Sequence, residues 1–172
     1  LDVEAVVASP IAAGYACLSA EERELGVALV EFGAEVTNVS VYAAGMLLGL
    51  VTIPMGSADI TDAVASAFAS PADHRELVPV NAPGDEATGP AARHADDKNR
   101  IPRAELVTVI TAQLGRLMEE VNKALKALGF TGQRGQLVVI TGGGAELAGL
   151  ADYAKAALGK PVRIGKPQHI RG

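Results

Sequence analysis

The stretch GVALVEFGAEVTNVSVYAAGMLLGLVTIP, residues 26–54, decides the fold of this chain. It contains three apolar runs that are separated by two segments of three residues, each with one glycine. Segments this short turn one strand back on the next, so the sequence predicts three antiparallel strands in chain order. The runs are residues 27–32, 36–42 and 46–53, and the separating segments are residues 33–35 and 43–45.

The first run is apolar on both faces, because Val27 and Leu29 alternate with Ala28, Val30 and Phe32. A strand of this kind is covered on both sides. We therefore expect it at the centre of the sheet.

Polar side chains collect around the first turn. Glu31 ends the first run, and Asn38, Ser40 and Tyr42 share one face of the second run. Gly33 lies between the two runs and lets a ligand approach the backbone closely. Two interpretations stay open here, a ligand site at the turn or an ordinary strand end in water.

The amino-acid composition limits the classes of protein to which this chain can belong. The chain has 172 residues, of which 49% are hydrophobic and 20% charged, and it has no Trp. These values are typical of a globular protein with an aliphatic core. Cys17 is the sole cysteine, which excludes an internal disulfide and favours a reducing compartment. Three scattered histidines exclude a structural zinc site.

Charge and hydropathy exclude two further classes. Residues 1–73 hold ten of the twenty acidic residues but one of the fifteen basic ones. The sequence lacks a basic face with aromatic side chains, so nucleic-acid binding is not predicted. The longest apolar stretch, residues 41–56, is broken by glycines and a proline and is too short to span a membrane. The first residues lack a signal-peptide pattern, and we expect the chain to start within a longer protein.

Helices are predicted on both sides of the three strands. Pro10 suits the first turn of a helix that Ser9 caps, residues 19–24 are expected to form a charged loop or short turn, and Ser57 is expected to cap a helix. Residues 69–100 predict a mobile loop with one strand candidate at 77–80.

Pro102 begins the clearest helix. Apolar residues recur at spacings of three and four up to Leu128, and Gly129 follows where a C-terminal cap is expected. This stripe is interpreted as core, with a partner groove as the alternative. Beyond it, the pattern predicts strands at 136–140 and 161–164 and a helix at 145–158.

Three consecutive glycines, Gly142, Gly143 and Gly144, separate the fourth strand from the last helix. They expose N–H groups at the positive end of a helix and leave room for a phosphate or a flat ring. Leu147 breaks a dinucleotide fingerprint, and no P-loop is present. Close packing of helix on strand is the alternative explanation.

Together the two glycine turns carry a resemblance to a known family. The order of strands and helices resembles the second half of the actin, Hsp70 and sugar kinase superfamily. Within it, VEAVVASPIAAGYACLSAEERELGVALVEFGAEVTNVSVY, IPMGSADITDAVASAF, VVITGGGAELAGLADYAKAALGKPVRIGKP and PQHIRG resemble FtsA, the bacterial actin-like cell-division family. The resemblance implies an α/β, ribonuclease H-like mixed sheet of five strands flanked by helices. Residues 1–68 and 114–172 would form the core, and residues 69–113 a reduced inserted lobe.

The resemblance also implies a nucleotide site. The family's first turn reads close to Asp-x-Gly-x-x-Thr-Thr/Ser-Asp, whereas this chain has Glu31, Gly33, Val36, Thr37 and Asn38 at those positions. Only the glycine and one threonine match. The longer acid puts ATP hydrolysis in doubt. By resemblance, the residues expected at the phosphates are Gly33, Ala34, Thr37 and Asn38, and those at the adenosine are Gly142, Gly143 and Gly144.

Two departures from the family limit nucleotide binding by this chain alone. The first half of the nucleotide site is absent, and so is a helix with a Glu-Arg-x-Lys-type stretch that normally follows Phe68. We expect ATP and magnesium to bind the full-length parent and no cofactor to bind this chain by itself. No catalytic or metal-binding residue is predicted.

Partners are implied by the resemblance as well. FtsA proteins bind the C-terminal tail of FtsZ through the inserted lobe, where Arg100, Arg103, Gln113 and Arg116 lie at or near the matching surface. Solvated helix-face charges are the alternative reading of each residue. The parent is expected to self-associate into filaments, meet other divisome proteins and attach through a C-terminal helix absent here to the cytoplasmic face of the inner membrane at the septum.

The implied role is that of a nucleotide-dependent scaffold in cell division, with little or no ATPase output. Two rival interpretations remain: half of a sugar or acetate kinase-type phosphotransferase, and a PilM-like interaction module.

Overall fold

The structure, a computed structural model, describes residues 6–68, 102–131 and 136–167. The predicted strand at 77–80, the predicted loop at 69–100 and Arg100 lie outside the described residues. In chain order the described elements are α1 (Ser9–Cys17), α2 (Ala20–Leu25), β1 (Val27–Phe32), β2 (Thr37–Ala43), β3 (Met46–Ile53), α3 (Ser57–Phe68), α4 (Arg103–Ala127), β4 (Leu137–Thr141), a 3-10 helix (Gly143–Glu146), α5 (Leu150–Leu158) and β5 (Val162–Ile164).

The strands form one mixed sheet in the order β3-β2-β1-β4-β5. β1, β2 and β3 pair antiparallel, as the short turns predict, whereas β4 pairs parallel to β1 and β5 parallel to β4. Helices lie on both faces. The predicted five-stranded mixed sheet with helical cover is confirmed.

β1 lies at the centre of this sheet and is buried on both faces. Val27, Ala28, Leu29 and Val30 are each at most 1% exposed. Alternate residues serve two separate apolar clusters, since Ala28 and Val30 pack towards α4 and α5 while Val27 and Leu29 pack towards α1. The expectation drawn from its uninterrupted apolar sequence is therefore confirmed.

The larger cluster is built on α4. The apolar stripe is core from Leu114 to Leu125, as predicted, because these side chains are buried against the sheet. Gly129 has φ +76°, and the N–H of Phe130 donates to the carbonyl of Leu125 at 2.8 Å. This is the predicted glycine cap, in the form in which an apolar residue beyond the glycine packs back on the helix. α4 continues unbroken through residues 113 and 114, so the division into core and inserted lobe at that point stays a prediction.

The smaller cluster lies under α1 and α2, where two expectations were wrong. Residues 20–25 form a helix instead of a loop, because Ser19 and Glu22 make a reciprocal capping box. Ser9 does not cap α1. Ala8 occupies the cap position, and the Ser9 hydroxyl instead donates to the Glu31 carboxylate.

The last helix is shorter than predicted. The chain expected to be helical from 145 forms a 3-10 helix, Gly143–Glu146, and then α5 from Leu150. Gly149 separates the two with φ +80°, a conformation that interrupts a helix. The three glycines therefore do not lie at the start of α5, and the expectation that its dipole acts on them was wrong.

An ion pair ties α2 to the far edge of the sheet. Arg163 of β5 donates to both carboxylate oxygens of Glu22, at 2.9 and 2.7 Å, and to the carbonyl of Cys17 at 3.0 Å. The hydrogen bond from Arg163 lowers the pKa of Glu22 below its ordinary value, against the opposing effect of burial. The contribution of this pair to stability is thus present at neutral pH and is lost as the pH falls through the lowered pKa.

We predict that Arg163→Met lowers the free energy of unfolding at pH 7 by about 1 kcal/mol, because it removes a two-pronged, partly buried pair. The difference from the unmodified chain should shrink at a second, acidic pH, as the pH falls through the lowered pKa of Glu22. Urea unfolding at the two pH values measures it. Lys123→Met is the matched control, since the pair of Lys123 with Glu120 is exposed and should have no measurable effect. An equal loss at both pH values would contradict the role given to the pair.

Candidate functional site

Two glycine-bearing turns meet at one edge of the sheet. β1 and β4 run parallel with Glu31 beside Thr141, so the turns that follow them start at the same level. The second turn lies against the end of β1, because a Cβ built on Gly142 would lie 2.9 Å from the carbonyl carbon of Phe32. Both turns therefore lie at one rim of the sheet. The carboxyl ends of parallel strands are where α/β proteins commonly bind ligands.

A row of polar side chains crosses the sheet just below this rim. Glu31, Asn38 and Thr52 lie side by side on β1, β2 and β3. The hydroxyl of Thr52 donates to Oδ1 of Asn38 at 2.7 Å, and Nδ2 of Asn38 donates to Oε2 of Glu31 at 3.0 Å. The hydroxyl of Ser9 donates to Glu31 Oε1. Both oxygens of the one carboxylate in this row therefore accept hydrogen bonds from the chain itself.

Thr37 stands behind the first turn rather than at its surface. Its side chain is fully buried, and its hydroxyl donates to the carbonyl of Met55 at 2.8 Å. Ala34 and Glu35 are exposed at the tip of the turn, whereas Gly33 is half-buried. A Cβ on Gly33 would lie 2.7 Å from the carbonyl oxygen of Val36. Glycine at this position is required by the turn itself.

The three glycines of the second turn have different surroundings. A Cβ on Gly142 would collide with the backbone of Phe32, and one on Gly144 would lie 2.6 Å from Cγ of the Phe32 ring. Close packing on β1 accounts for both glycines. A Cβ on Gly143 would meet nothing within 4 Å. Packing therefore leaves Gly143 unexplained, and this residue faces open space at the rim.

The comparison with protein families gives one match over most of the chain. Residues 28–172 match the family model described as "FtsA: Cell division protein FtsA". The chain belongs to the FtsA family. The FtsA of Rhizobium meliloti (strain 1021) is 30% identical over 100% of this chain and 41% of that protein, and the FtsA of Escherichia coli (strain K12) is 29% identical over 100% and 44%. The chain thus spans about two fifths of the length of these relatives.

Solved structures with the same fold include actin-like proteins. The PilM–PilN type IV pilus biogenesis complex matches with TM-score 0.63 at 18% identity, covering 94% of this chain and 42% of that one. MreB 5 of Spiroplasma citri bound to AMPPNP matches with TM-score 0.54 at 12% identity, covering 90% and 51%. The actin-like fold implied by the sequence is confirmed. The identities are low, so these matches bear on the fold alone.

The carboxylate of the polar row is hydrogen-bonded within the chain, whereas Gly143 faces open space. Within residues 6–68, 102–131 and 136–167 no three His, Cys, Asp or Glu side chains lie close enough to hold an ion. Each oxygen of the Glu31 carboxylate already accepts a hydrogen bond from a side chain of this chain.

Three of the four residues predicted to contact a partner lie on α4. The fourth, Arg100, is outside the described part. Arg103 is exposed near the start of α4, and Arg116 is exposed while Gln113 is half-buried. Gln113 and Arg116 are three residues apart and share a face. Arg103 lies about 15 Å from Gln113 along the axis, at the rise of an α-helix. The three side chains therefore form two separate positions on one helix, and their partner role stays a prediction.

Sequence reasoning missed four residues of the site: Ser9, Thr52, Met55 and Gly56. Thr52 could be found from the sequence, because the hairpin register places it beside Asn38. Ser9 could not be found in this way, since it lies 22 residues from Glu31 and meets it only after α1 docks on the sheet.

The helices in the described part of the chain are all too short or too polar to cross a bilayer.

We predict opposite effects of the same substitution at neighbouring glycines. Gly144→Ala should lower the free energy of unfolding by roughly 1–3 kcal/mol, because the added methyl group overpacks the Phe32 ring. Gly143→Ala should leave stability unchanged or slightly higher, since there is space for the methyl group and the unfolded chain loses freedom. Urea unfolding of the two variants tests this. A destabilised Gly143→Ala would show that packing constrains both positions.

Proposed function

We propose that this chain is the second half of an FtsA-type division scaffold. In the complete protein it would line a cleft for ATP, support assembly into actin-like filaments, and tether FtsZ filaments to the cytoplasmic face of the inner membrane at the septum. The observation that carries this proposal is the match to the FtsA family together with two glycine turns at one rim of an actin-like sheet.

The nucleotide part of the proposal rests on the shape of the rim. Gly143 carries no side chain although neither packing nor backbone conformation demands glycine there. A ring or ribose lying against the backbone is a physical reason for such a residue. The exposed tip of the first turn, at Ala34, would supply backbone N–H groups for phosphates, whereas the N–H of Gly33 already donates to the carbonyl of Val36 at 3.1 Å and shapes the turn. The likeness to MreB 5, which is described with AMPPNP bound, is in keeping with this assignment.

The polar row favours a scaffold over a turnover enzyme. A general base must lie within hydrogen-bond reach of the proton it removes, and its other hydrogen bonds compete for that position. Glu31 accepts from Ser9 and Asn38, and Thr37 gives its hydroxyl hydrogen to Met55. These groups stabilise the rim, and none of them is arranged to activate water. The proposed role therefore needs nucleotide binding but little hydrolysis.

The partner part of the proposal rests on α4. Arg103 and Arg116 are exposed cations that can pair with the carboxylates of an acidic, apolar-anchored peptide such as the FtsZ tail. Gln113 lies one turn before Arg116 and adds amide hydrogen bonds on the same face. Attachment to the membrane belongs to the complete protein, through a helix beyond this chain.

Blocking the rim tests the nucleotide site. In the complete protein, Gly143→Val should weaken binding of a fluorescent ATP analogue by about tenfold or more, because branched methyl groups would fill the open space. Fluorescence anisotropy measures the affinity. Lys155→Ala, an exposed change on α5, serves as the control and should bind as the unmodified protein does. Equal affinity for both variants would contradict adenosine contact at Gly143.

Charge reversal on α4 tests the partner. The double variant Arg103→Glu, Arg116→Glu of the complete protein should bind an FtsZ tail peptide at least about tenfold more weakly, since two charge-assisted contacts become repulsive. The double variant Lys123→Glu, Lys126→Glu makes the same change of net charge on the same helix and should keep its affinity. Pull-down and titration give the comparison. Phosphorylation of a sugar or acetate without peptide binding would end the scaffold proposal in favour of a kinase.

A further inference from the structure

The first turn of α3 is joined directly to the β1–β2 turn. The N–H of Ser57 donates to the carbonyl of Gly33 at 2.9 Å, and the N–H of Ala58 donates to the carbonyl of Ala34 at 2.8 Å. The first N–H groups of a helix lack partners within the helix and need acceptors elsewhere. Here the turn supplies those acceptors, so its backbone orientation and the start of α3 are fixed together.

Gly56 brings the two segments within reach of each other. A Cβ at this position would lie 2.7 Å from the backbone nitrogen of Glu35 and would collide with the carbonyl group of Ala34. The residue is buried, and its φ is not in the left-handed region. Contact with the turn, rather than backbone conformation, therefore requires glycine.

The peptide group between Met55 and Gly56 is held from both sides. Its carbonyl oxygen accepts the hydroxyl hydrogen of Thr37 at 2.8 Å, and its N–H donates to the carboxylate of Asp59 at 2.7 Å. A peptide plane with both polar groups engaged cannot rotate without breaking one of them. Thr37 and Asp59 thus fix the plane that lies against the β1–β2 turn.

We propose that Gly56 and Asp59 are positioning residues that hold the β1–β2 turn in the shape required for phosphate binding. The inference rests on the proposed function, and it deepens that function by giving Thr37 a role behind the turn. Neither Gly56 nor Asp59 needs to touch the ligand. They act through the carbonyls of Gly33 and Ala34, whose directions also set the directions of the N–H groups along the turn.

The first measurement is amide hydrogen exchange on the 172-residue chain. Gly56→Ala and Asp59→Ala should each speed exchange at Ser57 and Ala58 by about tenfold or more, because local opening becomes easier. Amides in the centre of β1 should be unaffected. Asp62→Ala removes the same charge from the same helix and should leave exchange unchanged, since Asp62 is exposed one turn further on. Asp59→Ala also covers the case in which Gly56→Ala does not fold.

The second measurement separates positioning from general destabilisation. In the complete protein, Gly56→Ala and Asp59→Ala should weaken binding of an ATP analogue by about tenfold, while Asp59→Asn, which keeps an oxygen acceptor, should recover most of the affinity. Gly129→Ala, which is strained by the φ of +76° beyond the end of α4, should lose stability without losing affinity.

Faster exchange at Ser57 and Ala58 together with weaker nucleotide binding would support the proposal. Unchanged exchange, or unchanged affinity in a complete protein that binds nucleotide, would overturn the positioning role and leave the proposed function standing. Absence of nucleotide binding by the unmodified complete protein would overturn the proposed function and the positioning role with it.

Discussion

Parallel pairing of β4 with β1 is the constraint on which the rest of the structure depends. It carries the chain back across the sheet, through α4, so that β4 ends beside β1 with Thr141 next to Glu31. Both strands then turn at the same edge, and only glycine fits where the second turn crosses the backbone of Phe32. An antiparallel β4 would have placed its turn at the opposite edge. The candidate cleft follows from this one pairing.

The two faces of β1 pack against different helices. On one face Ala28 and Val30 enter the large cluster with α4 and α5, which supplies most of the buried apolar surface. On the other face Val27 and Leu29 meet the short helix α1, and the row ends in Glu31. Because α1 brings Ser9 to that carboxylate, the polar row at the rim is satisfied by the fold itself. A buried or half-buried acid left unpaired would be costly, so this arrangement stabilises the rim without a ligand.

The sequence predicts local and periodic features well, and it predicts contacts between distant segments poorly. Three apolar runs with glycine turns identify β1, β2 and β3, and the stripe on α4 identifies the core, because strand and helix periods are written in neighbouring residues. The capping pair Ser19 and Glu22 was equally local, yet the charges around it favoured a loop. Gly149, with φ +80°, delays the start of α5 through a similarly local feature. Bonds from Ser9 to Glu31 and from Thr37 to Met55 depend on tertiary docking, which no local pattern encodes.

Glycine-rich turns are ambiguous in a sequence because packing, backbone conformation and ligand contact all select the same residue. The structure separates these causes. Close contact with Phe32 requires glycine at Gly142 and Gly144, and close contact with Ala34 requires it at Gly56. Packing within the chain therefore explains these three glycines. Gly143 has free space around it, which makes it the member of the second turn that carries information about a ligand. The wall formed by the two turns is therefore built largely by packing, and the carboxylate of Glu31 is held within the fold by Ser9 and Asn38.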